Sequence, residues 1–348
     1  MRIGILTFHY CYNHGAVLQS YALYKYLSAY GKVEFINYKL PLLINRYTVK
    51  QNLYKNIHNG SSIKTVASSL LFSITRKLVF ERFIENNLRC SNNDNTDCYE
   101  HIFIGSDQVW NGTITGGYDN YYWADFECNS TQKIHSYAAS CIAGIDLNDK
   151  HNVLSKLSRF SNISVREKDV YEKLNSYNIQ NTLVLDPVFL LRKEEWKKLT
   201  YRKDDHYIYE YNILGVKQCS AVVNKLKDKY NIEKVISMVY SKWKICFSPN
   251  KFLTIIRNST IVVTTSFHGL AFSIIFEIPF VVVKSHTSKD DRLLSLLELI
   301  GCADRAISDV SEVDNLTSID WEYVRKKLNN ERNHSVDFIT KCISENAD

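Results

Sequence analysis

The residues best suited to chemistry in this chain lie in four short polar runs, each following an apolar stretch. The most informative is Thr264-Thr265-Ser266-Phe267-His268-Gly269, inside the segment Ile261 to Val283. Ile261-Val262-Val263 reads as a buried strand, Leu270 to Phe276 as an apolar helix, and a second buried strand starts at Pro279. Polar residues are thereby crowded into the first turn of a strand–loop–helix–strand unit. In open parallel sheets, ligands bind at the carboxyl ends of strands, against helix N-termini that favour anions. Thr265, Ser266, Phe267, His268 and Gly269 are therefore candidates for binding a ligand. A lone histidine is usually structural, but His268 stands at a strand end beside hydroxyls and a glycine.

Asn13-His14-Gly15 precedes the first helical pattern, and Gly15 permits close approach of a ligand to the backbone. An ordinary turn would use the same residues. Gly105-Ser106-Asp107-Gln108-Val109-Trp110-Asn111 follows the strand His101–Ile104. Ser106, Asp107 and Gln108 beside a tryptophan would make a sugar platform, with the carboxylate positioning hydroxyls; the alternative is a helix cap. Ser164-Val165-Arg166-Glu167-Lys168-Asp169 ends a strand, and Arg166 suits a bidentate grip on carboxylate or phosphate. An internal ion pair with Glu167 or Asp169 is the competing reading.

These runs need a scaffold, and composition supplies one. The chain has 348 residues, 45% hydrophobic and 23% charged, enough for one large or two ordinary domains. Only 12 Gly and 4 Pro argue against low-complexity linkers. The 9 cysteines form no CxxC pair and no Cys/His cluster at zinc spacing, so buried reduced thiols are expected, with no metal. The N-terminus lacks a signal-peptide pattern, and His268, Glu277 and Pro279 argue against a membrane span over 261–283. A cytoplasmic location is expected.

The net charge is +6, unevenly spread. Lys39, Arg46, Lys50, Lys55, Lys64, Arg76, Lys77, Arg82 and Arg89 face only Glu81 and Glu85 over that stretch. The stretch reads either as a solvated helical face or as a peripheral contact with the inner face of an anionic membrane. No nucleic-acid motif accompanies it.

Strands are predicted at Arg2–Phe8, Val33–Ile36, His101–Gly105, Lys133–Ala139, Ile163–Arg166 and Thr182–Leu185, with helices over Ala16–Tyr30 and much of Ile63–Asn87. After Trp196 a second alternation starts: strand His206–Tyr211, helix Val216–Lys229, strand Lys234–Met238, helix Asn250–Arg257, then the unit described first. Ser288 is expected to cap a helix to Ile300, and Asp320–Ser344 is expected to be one or two helices. The expected fold class is α/β, with two doubly wound, Rossmann-like domains in a GT-B-like arrangement. Residues 1–190 would form the first domain, contributing Arg166, and 191–348 the second, with the Ser266–Gly269 loop and a returning C-terminal helix.

In order along the chain, MRIGILTFHYCYNHGAVLQSYAL, FIGSDQVWN, HSYAAS, ISVREKD, VLDPVFLL and VVTTSFHGLAFSIIFEIPFVVV resemble the polysaccharide pyruvyl transferase family. The resemblance implies transfer of a carboxyethylidene group from phosphoenolpyruvate, the co-substrate, to two hydroxyls of one sugar. The product is a cyclic pyruvate ketal on a surface-polysaccharide precursor, often lipid-linked, and no cofactor or metal is implied. Carried over by position, Arg166 would hold phosphoenolpyruvate, and His268 would be an acid/base or a phosphate ligand. Asp107 and the Asn13–Gly15 loop would lie nearer the sugar. Many members carry Arg where this chain has Ser266, or an acidic residue where it has Thr265, so anion binding here leans on Arg166, Lys284 or Arg292, the last of which could equally form an ion pair with Asp291 or Glu298. A GT-B glycosyltransferase using a nucleotide sugar, or a non-catalytic glycan-binding relative, are the rival readings.

Overall fold

Runs such as Ile3-Gly4-Ile5-Leu6 and Ile102-Phe103-Ile104 are buried along their length, as expected of parallel strands covered by helices on both faces. The computed structural model describes residues 1–48, 62–141, 150–239 and 247–344; Lys50, Lys55 and Cys246 lie outside them. The chain divides into two units, Met1–Leu191 with Glu331–Asp348, and Arg192–Asn330.

The first unit is built on β1 (Arg2–Leu6), β2 (Lys32–Phe35), β3 (His101–Asp107), β4 (Lys133–Ala139), β5 (Ser164–Val165) and β6 (Thr182–Leu183). All pair in parallel, in the order β2-β1-β3-β4-β5-β6, with Ile5 opposite Phe103. Helix α1 (His14–Leu27) follows β1, α2 (Pro41–Tyr47) and α3 (Ile63–Asn87) follow β2, and a short α4 (Gly112–Thr115) follows β3. Helices α5 (Lys150–Leu157) and α6 (Lys168–Ser176) complete the alternation. The core gathers Leu6, Ile104, Trp110, Trp123 and Val165 beneath them.

The second unit starts with α7 (Lys193–Lys197) and carries β7 (Ile208–Asn212), β8 (Val235–Val239), β9 (Ile261–Thr264), β10 (Phe280–Val283) and β11 (Ala306–Ile307). These are also parallel, in the order β11-β10-β9-β7-β8. Between them run α8 (Gln218–Tyr230), α9 (Pro249–Asn258), α10 (Phe267–Phe276) and α11 (Asp291–Leu299). Helix α12 (Trp321–Ser344) is a single element. From Glu331 on it belongs to the first unit, where Leu185 N donates to Ser335 Oγ at 2.9 Å.

Three helix starts differ from the sequence reading, two of them because of a cap. Helix α10 starts at Phe267 rather than Leu270, since Ser266 Oγ accepts from Gly269 N and draws Phe267 and His268 into the first turn. Helix α1 starts at His14 rather than Ala16, because Asn13 Oδ1 accepts from Ala16 N at 3.2 Å. Ser288 caps nothing: α11 starts at Asp291, and Asp290 instead holds the preceding loop by accepting from Ser285 N and His286 N. Segment 261–283 is strand, helix and strand, and no helix among the described residues is long and apolar enough to cross a membrane. Cys11, Cys141, Cys219, Cys302 and Cys342 are buried thiols, whereas Cys90, Cys98 and Cys128 are exposed.

Two imidazoles sealed in the first unit set an acid limit on it. Burial lowers the pKa of His9 from 6.5 to about 3 and that of His135 likewise. Below about 6.5 the unfolded chain binds protons that the folded chain refuses, so the stability present above that value is lost as pH falls towards 3. Urea unfolding of the protein should show this unit losing about 2 kcal/mol per buried histidine between about pH 6.5 and 5. A stability flat across that window would mean that both rings take up protons without unfolding.

Candidate functional site

A parallel sheet places every strand's carboxyl end on one edge, and a crevice opens where successive strands leave in opposite directions. In the first unit that switch point falls between β1 and β3. Residues Thr7–Asn13 and Ser106–Asn111 flank it. In the second unit it falls between β7 and β9, flanked by the loop after Asn212 and by Thr265–Phe267. The residues singled out in the sequence therefore form two sets, one in each unit.

In the first set, Thr7 Oγ1 donates to Ser106 O at 3.0 Å and accepts from Gln19 Nε2 at 3.0 Å, closing the base of the crevice. Ser106 is fully buried, with no partner for its Oγ. Asp107 has φ 69°, a left-handed conformation costly for a non-glycine residue and common where a site over-determines the backbone. Its Oδ1 accepts from Gln108 N at 2.9 Å, and Gln108 Oε1 accepts from Asn111 Nδ2 at 2.7 Å. Asn111, rather than Ser106 or Asp107, caps the following helix. Asn13 is exposed at the rim, Asp107 and Gln108 are half-buried, and Gly15 is buried in the first turn of α1. His14 packs its ring 5.1 Å from Phe80 and is 4% exposed, so it supports the loop from beneath. Trp110 is no platform: it is 2% exposed, stacks on Trp123, and donates Nε1–H to Tyr122 O at 3.0 Å.

Arg166 lies at the same edge, after β5. Its guanidinium is sealed from water and donates to Asp186, to Glu167 Oε1 at 3.3 Å and to Ser140 Oγ at 2.9 Å. Burial alone would lower its pKa, but Glu167, Asp186 and Asp107 together push it up. The ion pair weighed in the sequence is thus the arrangement found, with Asp186 in the place foreseen for Asp169. Ser140 Oγ also donates to Glu167 Oε1 at 2.6 Å, while Glu167 Oε2 is buried without a partner. Three carboxylates, Asp107, Glu167 and Asp186, act on this one buried cation.

The second set is built differently. The hydroxyl run is spent on structure: Thr264 Oγ1 donates to Tyr211 O at 3.1 Å and accepts from Ser266 N at 3.0 Å. Thr265 Oγ1 accepts from Leu214 N at 3.3 Å, and Ser266 caps α10. Asn212 closes the neighbouring loop, accepting from Val216 N at 2.9 Å and donating to Val216 O at 2.8 Å. Gly269 sits where a Cβ would meet Thr264 Oγ1 and lie 2.8 Å from Tyr211 Cδ1, so α10 seats directly on the strand ends. His268 is half-buried in the first turn, its Nε2 turned inward, and Lys284 is half-buried after β10. Arg292 lies 5.6 Å over the Phe267 ring. The N-terminus of α10 thus carries His268, with Arg292 beside Phe267 and Lys284 at the end of the neighbouring strand β10. Asp290 orders Ser285 and His286 beyond it.

Sequence reasoning passed over Ser140, Asp186 and Asn212. The Asp186-Pro187 pair, directly after a strand, was the available signal for Asp186, whose Oδ1 also accepts from Val188 N at 3.0 Å. Ser140 and Asn212 look like any strand-end polar residue until their partners are known. Asp186→Ala should cost roughly 3 kcal/mol of stability, because it strips a partner from a buried cation. Equilibrium urea unfolding tests this, and an unchanged midpoint would show that Glu167 and Ser140 suffice.

Among solved structures, the chain is similar to UDP-GlcNAc 2-epimerase from Neisseria meningitidis bound to UDP-GlcNAc, at 12% identity and TM-score 0.50, covering 98% of this chain and 100% of that one. It is likewise similar to S. aureus MnaA in its UDP co-structure, at 11% identity and TM-score 0.50, covering 99% of this chain and 98% of that one. At such identities the likeness shows the fold alone, that of two-unit α/β proteins of the GT-B class. No curated protein matches the sequence. The family model for polysaccharide pyruvyl transferase matches residues 13–287, a span that holds every strand end described above except those of β1 and β11. The chain belongs to the polysaccharide pyruvyl transferase family.

Proposed function

We propose that the protein transfers the carboxyethylidene group of phosphoenolpyruvate to two hydroxyls of one sugar in a surface-polysaccharide precursor, forming a cyclic pyruvate ketal. The observation that supports this reading is the start of α10, with His268 in its first turn and Arg292 5.6 Å over the Phe267 ring. Phosphoenolpyruvate carries a carboxylate and a phosphate, and the basic start of α10 with His268, Lys284 and Arg292 suits it. The edge of the first unit suits a hydroxyl-rich acceptor, with Asn13, Asp107 and Gln108 accessible to its hydroxyls.

The reaction adds a proton to the methylene carbon of phosphoenolpyruvate, for which His268 is the donor in this reading. The central carbon becomes electrophilic, a sugar hydroxyl bonds to it, and its bond to the phosphate oxygen breaks. The second hydroxyl then closes the ring. Two hydroxyl protons are released: one balances the proton taken up by the methylene, and the other leaves with phosphate. Arg166, enclosed by Asp186, Glu167 and Ser140, acts here as a positioning residue that fixes Asp107 rather than as the donor's anion clamp. The acceptor would be presented on a lipid carrier at the cytoplasmic face of the membrane. A second reading, nucleotide-sugar transfer, draws on the same basic helix start and on the likeness to proteins solved with UDP-GlcNAc and UDP.

Thermal unfolding with phosphoenolpyruvate, UDP and GDP added separately distinguishes the two. A ligand at a hundredfold excess over its Kd stabilises by about 2.7 kcal/mol. Phosphoenolpyruvate should raise the melting temperature by several degrees, and His268→Ala and Arg292→Ala should each remove most of that shift. A response to UDP or GDP with none to phosphoenolpyruvate would replace pyruvyl transfer by nucleotide-sugar transfer.

A further inference from the structure

Helix α3 is unusual for a helix on an α/β sheet. Over its 25 residues only Ser73, Phe80 and Phe83 are buried. On its other side Ile63 is 88% exposed, Leu71 48%, Ile74 41% and Leu78 60%. With Ala67, also exposed, these residues recur at spacings of four, four, three and four. At about 100° per residue they fall within roughly 80° of arc, a single apolar stripe four turns long. Isolated exposed leucines need no explanation, but an aligned row of them does.

The stripe has basic borders. Lys77 lies on one side of it, and Lys64 and Arg82 on the other; all three are exposed. Arg76 does not belong to this face: its Nε donates to Tyr12 O at 2.6 Å and its guanidinium lies 4.7 Å over the Tyr47 ring. The acidic residues are few and partly engaged. Glu81 accepts from Tyr12 OH at 2.8 Å and lies 4.0 Å from Lys77, while Glu85 is exposed beyond the end of the stripe.

We propose that α3 docks the protein on an anionic lipid bilayer, the apolar stripe lying at headgroup depth with Lys64, Lys77 and Arg82 against lipid phosphates. An amphipathic helix of this kind binds in the plane of the interface through buried apolar area plus attraction to anionic lipid. The long lysine and arginine stems let the charges reach the phosphates while the stripe is immersed. The charge borders favour a bilayer over a second copy of the chain, because an isologous contact would set the basic borders of one copy beside those of the other. Docking does not rest on the reaction proposed above. It has a bearing on it, because Arg76 and Glu81 hold Tyr12, the residue before Asn13 at the rim of the first unit's crevice.

Flotation of the full chain with phosphatidylcholine vesicles, with and without phosphatidylglycerol, tests the proposal. Binding should require the anionic lipid and weaken with salt. Leu71→Ser with Leu78→Ser should lower it at least tenfold, and each of Lys64→Gln, Lys77→Gln and Arg82→Gln by about fivefold, the equivalent of about 1 kcal/mol per charge. All these side chains are exposed, so unchanged thermal unfolding of each variant serves as the folding control. Absence of flotation, or flotation indifferent to the leucine pair, would overturn the proposal. So would a dimer in sedimentation equilibrium that the leucine pair dissolves, since the stripe would then be an interface between copies.

Discussion

A guanidinium withdrawn from water is tolerated only where carboxylates and hydroxyls replace its lost hydration, and breaking such an arrangement costs more than it ever contributed. Arg166 is placed in this way, and its partners come from separate strand ends: Asp107 from β3, Ser140 from β4, Glu167 beside it after β5, and Asp186 after β6. The edge of the first sheet is therefore held by charge as well as by its ladder. Asp107, which reaches solvent there, lies in the field of that buried ion, and its Oδ1 in turn accepts from Gln108 N. The left-handed backbone at Asp107 is consistent with that, since such a conformation persists only where its surroundings impose it.

The second unit reaches comparable rigidity without buried charge. Close approach does the work: Gly269 brings α10 against Tyr211 and Thr264, and hydroxyls fasten the turn. One edge is thus fastened around a buried ion, the other through close packing and hydroxyl caps.

Elements with strong periodicity were legible in the sequence. The bounds of Lys133–Ala139 are those observed, the helix expected over much of Ile63–Asn87 fills that span, and two parallel α/β alternations could be read from the recurrence of β-branched runs. Ambiguity began where one side chain can serve either of two backbones. Ser266 before Phe267-His268 is a loop residue or a cap, and only the helix behind it decides. Trp110 beside Asp107 looks like a platform until Trp123 covers it. Arg166 advertises an anion site by residue type, whereas its use depends on Asp186, a residue twenty positions on that folding brings to within a hydrogen bond. Local pattern specifies the strands and helices; the commitments of polar side chains are tertiary.

The thiols offer a practical consequence. Cys90, Cys98 and Cys128 stand at the surface of the first unit, while Cys11, Cys141 and Cys342 are sealed within it and Cys219 and Cys302 within the second. Burial pushes Cys219 up to about 12 and Cys302 up to about 11, and raises Cys11 as well, so none of these forms thiolate in the folded chain near neutrality. Alkylation therefore reports opening rather than chemistry. After the surface thiols are blocked, mass-resolved labelling at increasing denaturant becomes a clock with two hands, one for each unit. It would show whether the charged edge or the close-packed one yields first.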